Sequence, residues 1–435
     1  MILSGENVSI KNLVATLLGV CLLMISSNTP AELTVEISKS VESNVSIAIV
    51  PFGGTQPGEN LGSIVAADLH RSGRFKILPD SQMPERPHTP DEVHFDAWKS
   101  LGQDNLVIGQ VKQTGTDQYS AEFQLFDAVR GTQLVSTSLS FASSDSRRTA
   151  HRIADLIYKQ LTGEDGAFAT RIAYVSVSSA DGAKGRRYML QVADADGYNP
   201  QTIVGSPEPI MSPAWSPDGK KIAYVSFENK RSAIYMQNLA SKDRQKVSEL
   251  PGINGAPAWS PDGTQLAMTL SKDGNPEIYI MTLANRSLRR VTDHFAIDTE
   301  PTWTKDGSQL VFTSDRGGKP QLYSVSSNGG QPERITYEGD YNARGVFSPD
   351  GKSLSLVHGN GGDYRIAVLD IASKQLRVLS SGRLDESPSF APNGSMILYA
   401  SQNGKAGLST VSSNGKVKEN ISSSDNEMRE PAWSP

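Results

Sequence analysis

After about residue 170, apolar and polar positions alternate with a period of two, the pattern of strands that bury one face. The alternating stretches recur as Ile222-Ala-Tyr-Val, Leu266-Ala-Met-Thr, Leu310-Val-Phe-Thr, Leu354-Ser-Leu-Val and Ile397-Leu-Tyr-Ala. An aromatic segment and a turn precede each of them. These read Pro213-Ala-Trp-Ser-Pro-Asp-Gly219, Pro257-Ala-Trp-Ser-Pro-Asp-Gly263, Pro301-Thr-Trp-Thr-Lys-Asp-Gly307, Gly345-Val-Phe-Ser-Pro-Asp-Gly351 and Pro388-Ser-Phe-Ala-Pro-Asn-Gly394. The aromatic positions Trp215, Trp259, Trp303, Phe347, Phe390 and Trp433 are spaced by 44, 44, 44, 43 and 43 residues. Proline fixes φ in the turn, aspartate bonds locally, and glycine accepts a positive φ. A third strand follows in each unit (Ile234-Tyr-Met, Ile278-Tyr-Ile), and a fourth sits near Val247, Val291, Ile335, Val378 and Ile421. Four strands at this period predict a β-propeller blade.

The two ends of the repeat complete each other. Ile172-Ala-Tyr-Val-Ser176 is a second strand with no aromatic first strand before it, and Pro431-Ala-Trp-Ser-Pro435 is a first strand with nothing after it. The pattern therefore predicts six blades over residues 166–435, closed by pairing of the C-terminal strand into the first blade. Closure leaves no exposed end strand.

Residues 32–165 predict a smaller α/β N-terminal domain. Val45–Phe52 reads as a buried strand, Leu61–Leu69 as a helix, Phe95–Leu101 as a short helix and Asn105–Val111 as a strand. Tyr119–Phe126 and Thr132–Phe141 form a hairpin around Arg130-Gly131, and Ser144-Asp-Ser146 caps a helix running to about Leu161. Residues 79–92 are proline-rich and read as loop. Residues 1–31 read as a signal peptide: Lys11, the apolar run Leu13–Ile25, then Thr29 and Ala31 at the −3 and −1 positions of a cleavage site. Cys21 lies inside that run, so the mature chain carries no cysteine. Glu32-Leu-Thr-Val-Glu-Ile37 would begin it, with alternating apolar residues that suit either an edge strand on its own domain or a strand added to a partner's sheet.

Charge narrows the choice of function. The whole chain of 435 residues has 42 basic and 47 acidic side chains. Residues 32–165 hold 18 acidic and 12 basic residues, and the propeller is nearly neutral. Neither half supplies the basic field that nucleic acid requires. Catalytic signatures such as Gly-x-Ser-x-Gly, His-Glu-x-x-His or a phosphate loop do not occur. The six histidines (His70, His88, His94, His151, His294 and His358) lack metal-ligand spacing. We therefore expect no catalytic residues, no cofactor and no metal. Segments just ahead of the aromatic strands vary between blades far more than the Ser-Pro-Asp-Gly turns do. A varied rim suits recognition of an asymmetric partner.

The combination of a signal peptide, an α/β domain of about 130 residues and a propeller ending in Pro-Ala-Trp-Ser-Pro closely resembles the TolB family, the periplasmic component of the Tol–Pal envelope system. Stretches carrying the resemblance include Val50-Pro-Phe52, Met211–Gly219, Asn254-Gly-Ala-Pro257, Thr299-Glu-Pro-Thr-Trp303 and Leu384-Asp-Glu-Ser-Pro388. The resemblance implies a monomeric, non-enzymatic periplasmic adaptor. It implies binding of the lipoprotein Pal through Met211, Ser212, Ile253, Asn254, Ala256, Thr299 and Glu300, with Ile253 standing where the family commonly has histidine. It further implies that TolA is engaged by the mature N-terminal segment Glu32, Leu33, Thr34, Val35, Glu36, Ile37 and Ser38, in support of outer-membrane integrity and constriction at division. The alternative is a secreted propeller that binds or hydrolyses a small ligand in its central channel.

Overall fold

The computed structural model describes residues 44–179, 185–402, 406–421 and 426–435. In the N-terminal sheet, Val45–Ile49 pairs in parallel with Phe75–Ile77 on one side and with the central strand Asn105–Gly115 on the other. Gln118–Asp127 and Thr132–Ala142 continue it antiparallel, as the predicted hairpin. Helices α1 (Leu61–Arg71) and α3 (Ser146–Thr162) cover one face, burying Leu61, Val65, Ile153 and Ile157 against Ile47, Val107 and Phe123. Helix α2 (Phe95–Ser100) covers the other, with Trp98 fully buried among Ala48, Leu106 and Ile108.

The Asn60 side chain caps α1, accepting the Gly62 N–H at 2.9 Å, and it also accepts the Phe52 N–H at 2.9 Å. Helix α3 enters differently from expectation. Ser143–Asp145 form a 3-10 turn and Asp145 makes no side-chain cap, because that turn already supplies the approach to the helix. Two further 3-10 turns, Asp80–Gln82 and Pro90–Glu92, organise the proline-rich segment read as loop.

Six four-stranded antiparallel sheets follow. Blade one joins Glu427–Trp433 to Arg171–Ser179, Arg186–Asp194 and Gln201–Ser206, with Trp433 opposite Ile172 and Ala432 opposite Ala173. The chain ends thus close the ring. Blades two to six begin at Ile210, Asn254, Asp298, Tyr341 and Asp385. Fourth strands are short: Leu288–Arg290 and Glu333–Arg334 stop just before Val291 and Ile335.

Tryptophan ties blades two, three and four each to the blade before it. Trp215 Nε1 donates to the Ala432 carbonyl at 3.0 Å, Trp259 to Ala214 at 3.1 Å, and Trp303 to Ala258 at 3.0 Å. The accepting residue in each case precedes the neighbouring blade's own tryptophan, so the bonds link blades one to four as a chain. Blades five and six carry phenylalanine and lack this donor. In the turns, Ser216 Oγ donates to Asp218 Oδ1 at 2.6 Å and accepts the Lys221 N–H at 2.9 Å, while Gly219 sits at φ +66°. The same bonds recur around Ser260, Thr304 and Ser348.

Antiparallel order places the first-to-second and third-to-fourth turns at one end of the ring and the blade-to-blade loops at the other. The α/β domain docks on the turn end. Asn393 Nδ2 donates to the Asp165 carbonyl at 2.9 Å and Asn414 Nδ2 to the Gly73 carbonyl at 3.3 Å. One apolar cluster runs from Ile157, Tyr158 and Phe168 into Tyr174, Leu398 and Trp433 of blades one and six. The loop end is left clear of that domain.

Candidate protein-binding rim

Every innermost strand carries a β-bulge at the same place. Register shifts between Met211 and Ala214, Gly255 and Ala258, Thr299 and Thr302, Ala343 and Val346, Glu386 and Ser389, and Arg429 and Ala432. Within each shift one residue has a positive φ: Ser212 (50°), Ala256 (45°), Glu300 (56°), Arg344 (53°), Ser387 (55°) and Glu430 (52°). None is glycine, so each left-handed residue costs roughly 1–2 kcal/mol. Bulges re-aim side chains, and these six all line the central cavity of about 570 Å³.

Three of the six form a charged belt. Arg344 Nε donates to Glu300 Oε1 at 2.6 Å, and its terminal nitrogens donate to Glu430 at 3.0 and 3.2 Å and to the Ser387 hydroxyl. Glu300 Oε2 also accepts the Thr313 hydroxyl at 3.0 Å. Burial opposes the Arg344 charge, yet Glu430 and Glu300 outweigh it and hold the guanidinium pKa above its ordinary value. Nearby Glu386 is pushed up, chiefly by burial. The other three, Ser212, Ala256 and Ser387, are small and uncharged.

Around the loop-end mouth stands a crown of exposed apolar side chains. Phe295 is 87% exposed, Tyr337 70%, Ile297 50%, Ile253 49%, Met211 38% and Leu384 37%. All lie in, or immediately after, blade-to-blade loops. The backbone beneath them is fixed: Ile253 N–H donates to Ser271 Oγ at 2.7 Å and Ile297 N–H to Asp315 Oδ1 at 2.8 Å. Apolar groups held out to water on a stiff frame mark an interaction surface.

The structure places the residues singled out in the sequence at two depths. Met211 and Ile253 stand on the crown. Ser212, Ala256 and Glu300 line the channel, and Thr299 lies beside them, its hydroxyl 3.3 Å from Thr269 Oγ1. Asn254 is fully buried. Its side chain accepts from Ser248 Oγ at 2.6 Å and the Leu250 N–H at 2.9 Å, and donates to the Leu250 carbonyl at 2.7 Å. It therefore shapes the loop that presents Ile253. Asp298 and Asp385, at the equivalent strand position, are also fully buried and do not line the channel. Arg316 donates to Asp298 at 2.7 Å, and the Gly382 N–H donates to Asp385 at 3.0 Å. Residues 1–31 and Glu32–Ser38 lie outside the described residues. Sequence reasoning missed Phe295, Ile297, Tyr337 and Leu384 as rim residues. Their signal was an apolar side chain in a polar loop, out of phase with the strand that follows.

These features define a closed six-bladed β-propeller with an α/β domain on its turn end and an apolar rim at its loop end. A family model described as the TolB beta propeller domain matches residues 158–435, and one described as the TolB amino-terminal domain matches residues 33–134. Over 415 residues the chain is 68% identical to the Tol-Pal system protein TolB of Methylococcus capsulatus, covering 95% of this chain and 97% of that one. It is 59% identical over 431 residues to the protein of the same name from Thioalkalivibrio sulfidiphilus, covering 98% of each. The crystal structure of TolB from Acinetobacter baumannii superposes with a TM-score of 0.83 at 44% identity, covering 90% of this chain and 96% of that one. The chain belongs to the TolB family and is a component of the Tol–Pal system.

Proposed function

We propose that this protein is a non-enzymatic periplasmic adaptor whose loop-end rim binds the lipoprotein Pal. Residues 1–31 act as the export signal, residues 32–165 and 166–435 are the two mature domains, and Glu32–Ser38 engages TolA. Linking the two partners supports outer-membrane integrity and constriction at division. The observation that carries this reading is the crown of Met211, Ile253, Phe295, Ile297, Tyr337 and Leu384 around one mouth of the propeller. Exposed apolar and aromatic side chains held on a stiff frame are the anchors that protein interfaces bury. Ser212, Ala256, Thr299 and Glu300 form the centre of that rim, and Asn254 holds the loop beneath Ile253. Among the described residues no helix is long and apolar enough to cross a membrane. Within the channel, the Glu300 and Glu430 carboxylates are both engaged by Arg344, which favours a structural role for them over acid–base work.

Calorimetric titration of the mature chain with the periplasmic domain of Pal tests the reading. Saturable 1:1 binding is expected. A folded mature chain that gives no binding overturns it.

A further inference from the structure

A second polar site lies far from the rim, at the seam between the α/β domain and blade one. His151 projects from α3 and is 1% exposed. Its Nδ1 lies 2.6 Å from Asp68 Oδ2, on α1. A carboxylate only accepts, so Nδ1 carries a proton and Nε2 is the ring nitrogen left to serve as a ligand. That Nε2 is buried and has no hydrogen-bond partner among the described residues. It faces the blade-one turn, where Asp194 and Asp196 stand two residues apart and offer carboxylate oxygens within 4.8 Å of it and of each other.

The spacing separates two explanations. Nε2 is 3.5 Å from Asp196 Oδ2, close enough for charge interaction but too long for a hydrogen bond. Ligands about 2.1 Å from a tetrahedral zinc ion stand roughly 3.4 Å apart. A proton between these atoms leaves the gap unbridged, whereas a metal ion fills it. The surroundings match as well. Asp68 on Nδ1 is the carboxylate–histidine arrangement that fixes the tautomer and orientation of a metal-bound imidazole. Arg147 donates to the same Asp196 oxygen, Oδ2, and the Tyr198 N–H to Oδ1 at 3.1 Å, so the carboxylate is fixed in place, and Arg71 holds Asp68.

We propose that His151 Nε2 with the Asp194 and Asp196 carboxylates binds one zinc-class divalent cation, clasping α3 of the α/β domain to blade one. One imidazole with two carboxylates, and a fourth position for water, suits zinc; calcium and magnesium favour all-oxygen sets. The cation bridges residues 43 positions apart in sequence, from both domains.

The test uses the mature chain stripped with a chelator, titrated with Zn²⁺ by calorimetry and with Co²⁺ as a visible-absorbance probe. One equivalent of Zn²⁺, the intense visible bands of tetrahedral Co²⁺ and a raised Tm are expected. Asp194→Asn and His151→Gln should each abolish that one-equivalent binding. Asp194 is only half-buried, so Asp194→Asn carries the test if His151→Gln fails to fold. Lack of one-equivalent binding by folded wild type overturns the proposal. So does binding that survives in a folded Asp194→Asn chain.

Discussion

Arg344 of blade five reaches past blade six to Glu430 of blade one, donating at 3.0 and 3.2 Å across the mouth of the channel. With Glu300 on its other side, it spans four of the six blades. Its replacement strands two half-buried carboxylates. We predict that Arg344→Met destabilises the protein by about 2 kcal/mol, between the exposed and buried ion-pair limits. Arg344→Lys should recover part of the loss, since it keeps the charge but not the fork. Urea unfolding measures both; a Met variant as stable as wild type would show the belt to be incidental.

Phe295 gives the cleanest separation of binding from folding. Its ring is 87% exposed and packs mainly on His294, 4.2 Å between centroids. Phe295→Ala should leave Tm within experimental error and weaken Pal binding by tenfold or more, the ~1.4 kcal/mol scale of an interface anchor. Unchanged affinity in calorimetry would remove Phe295 from the interface.

Ring closure rests heavily on Trp433, which is 5% exposed and whose Nε1 donates to Thr170 Oγ1 at 2.7 Å. Trp433→Ala should cost ~3–5 kcal/mol by leaving a cavity where the two chain ends meet. Trp215→Phe should cost only ~1 kcal/mol, one hydrogen bond to Ala432, because Phe347 and Phe390 already fill that place in blades five and six. Equal losses in chemical unfolding would contradict this division.

Acid should loosen the turns in a defined window. Hydrogen bonds from the Thr304 hydroxyl, then from the Ser308 hydroxyl and amide, lower the Asp306 pKa to about 2. The Ser216 and Ser260 hydroxyls lead the lowering at Asp218 and Asp262. A depressed folded pKa means the stabilisation is complete above about pH 4 and disappears as pH falls toward about 2. The triple variant Asp218→Asn, Asp262→Asn, Asp306→Asn keeps the acceptor, as Asn393 does in blade six, where its Oδ1 accepts the Ser395 N–H at 3.0 Å. It should lose less stability than wild type across that window. Parallel stability–pH curves would refute the linkage.

The propeller was legible because its signals are local and repeated. Pro-x-Trp-Ser-Pro-Asp-Gly fixes a strand, a turn and a register within seven residues, and the unmatched ends at Ile172 and Trp433 announced the closure. The α/β domain was legible as elements, since Leu61, Ile64 and Val65 carry helical spacing. The 3-10 entry to α3 was not, because Ser144-Asp-Ser146 fits a cap equally well. The rim was half legible. Variation near Met211, Ile253 and Thr299 was visible, but burial was not, so Asn254 looked like a contact residue while it sits wholly inside. Phe295 and Tyr337 fall in loops without period. Their exposure depends on where the ring places those loops. Arg344's reach to Glu430 and the meeting of His151 with Asp194 and Asp196 join residues 86 and 43 positions apart; tertiary packing alone creates them.

Backbone hydrogen exchange of the mature chain, with and without the periplasmic domain of Pal, would locate the docking face directly. Binding at the loop-end rim predicts added protection at residues 253–256, 293–300 and 337–344, and none at the turns 216–219, 260–263 and 304–307. Protection confined to those turns, with the crown unchanged, would contradict it.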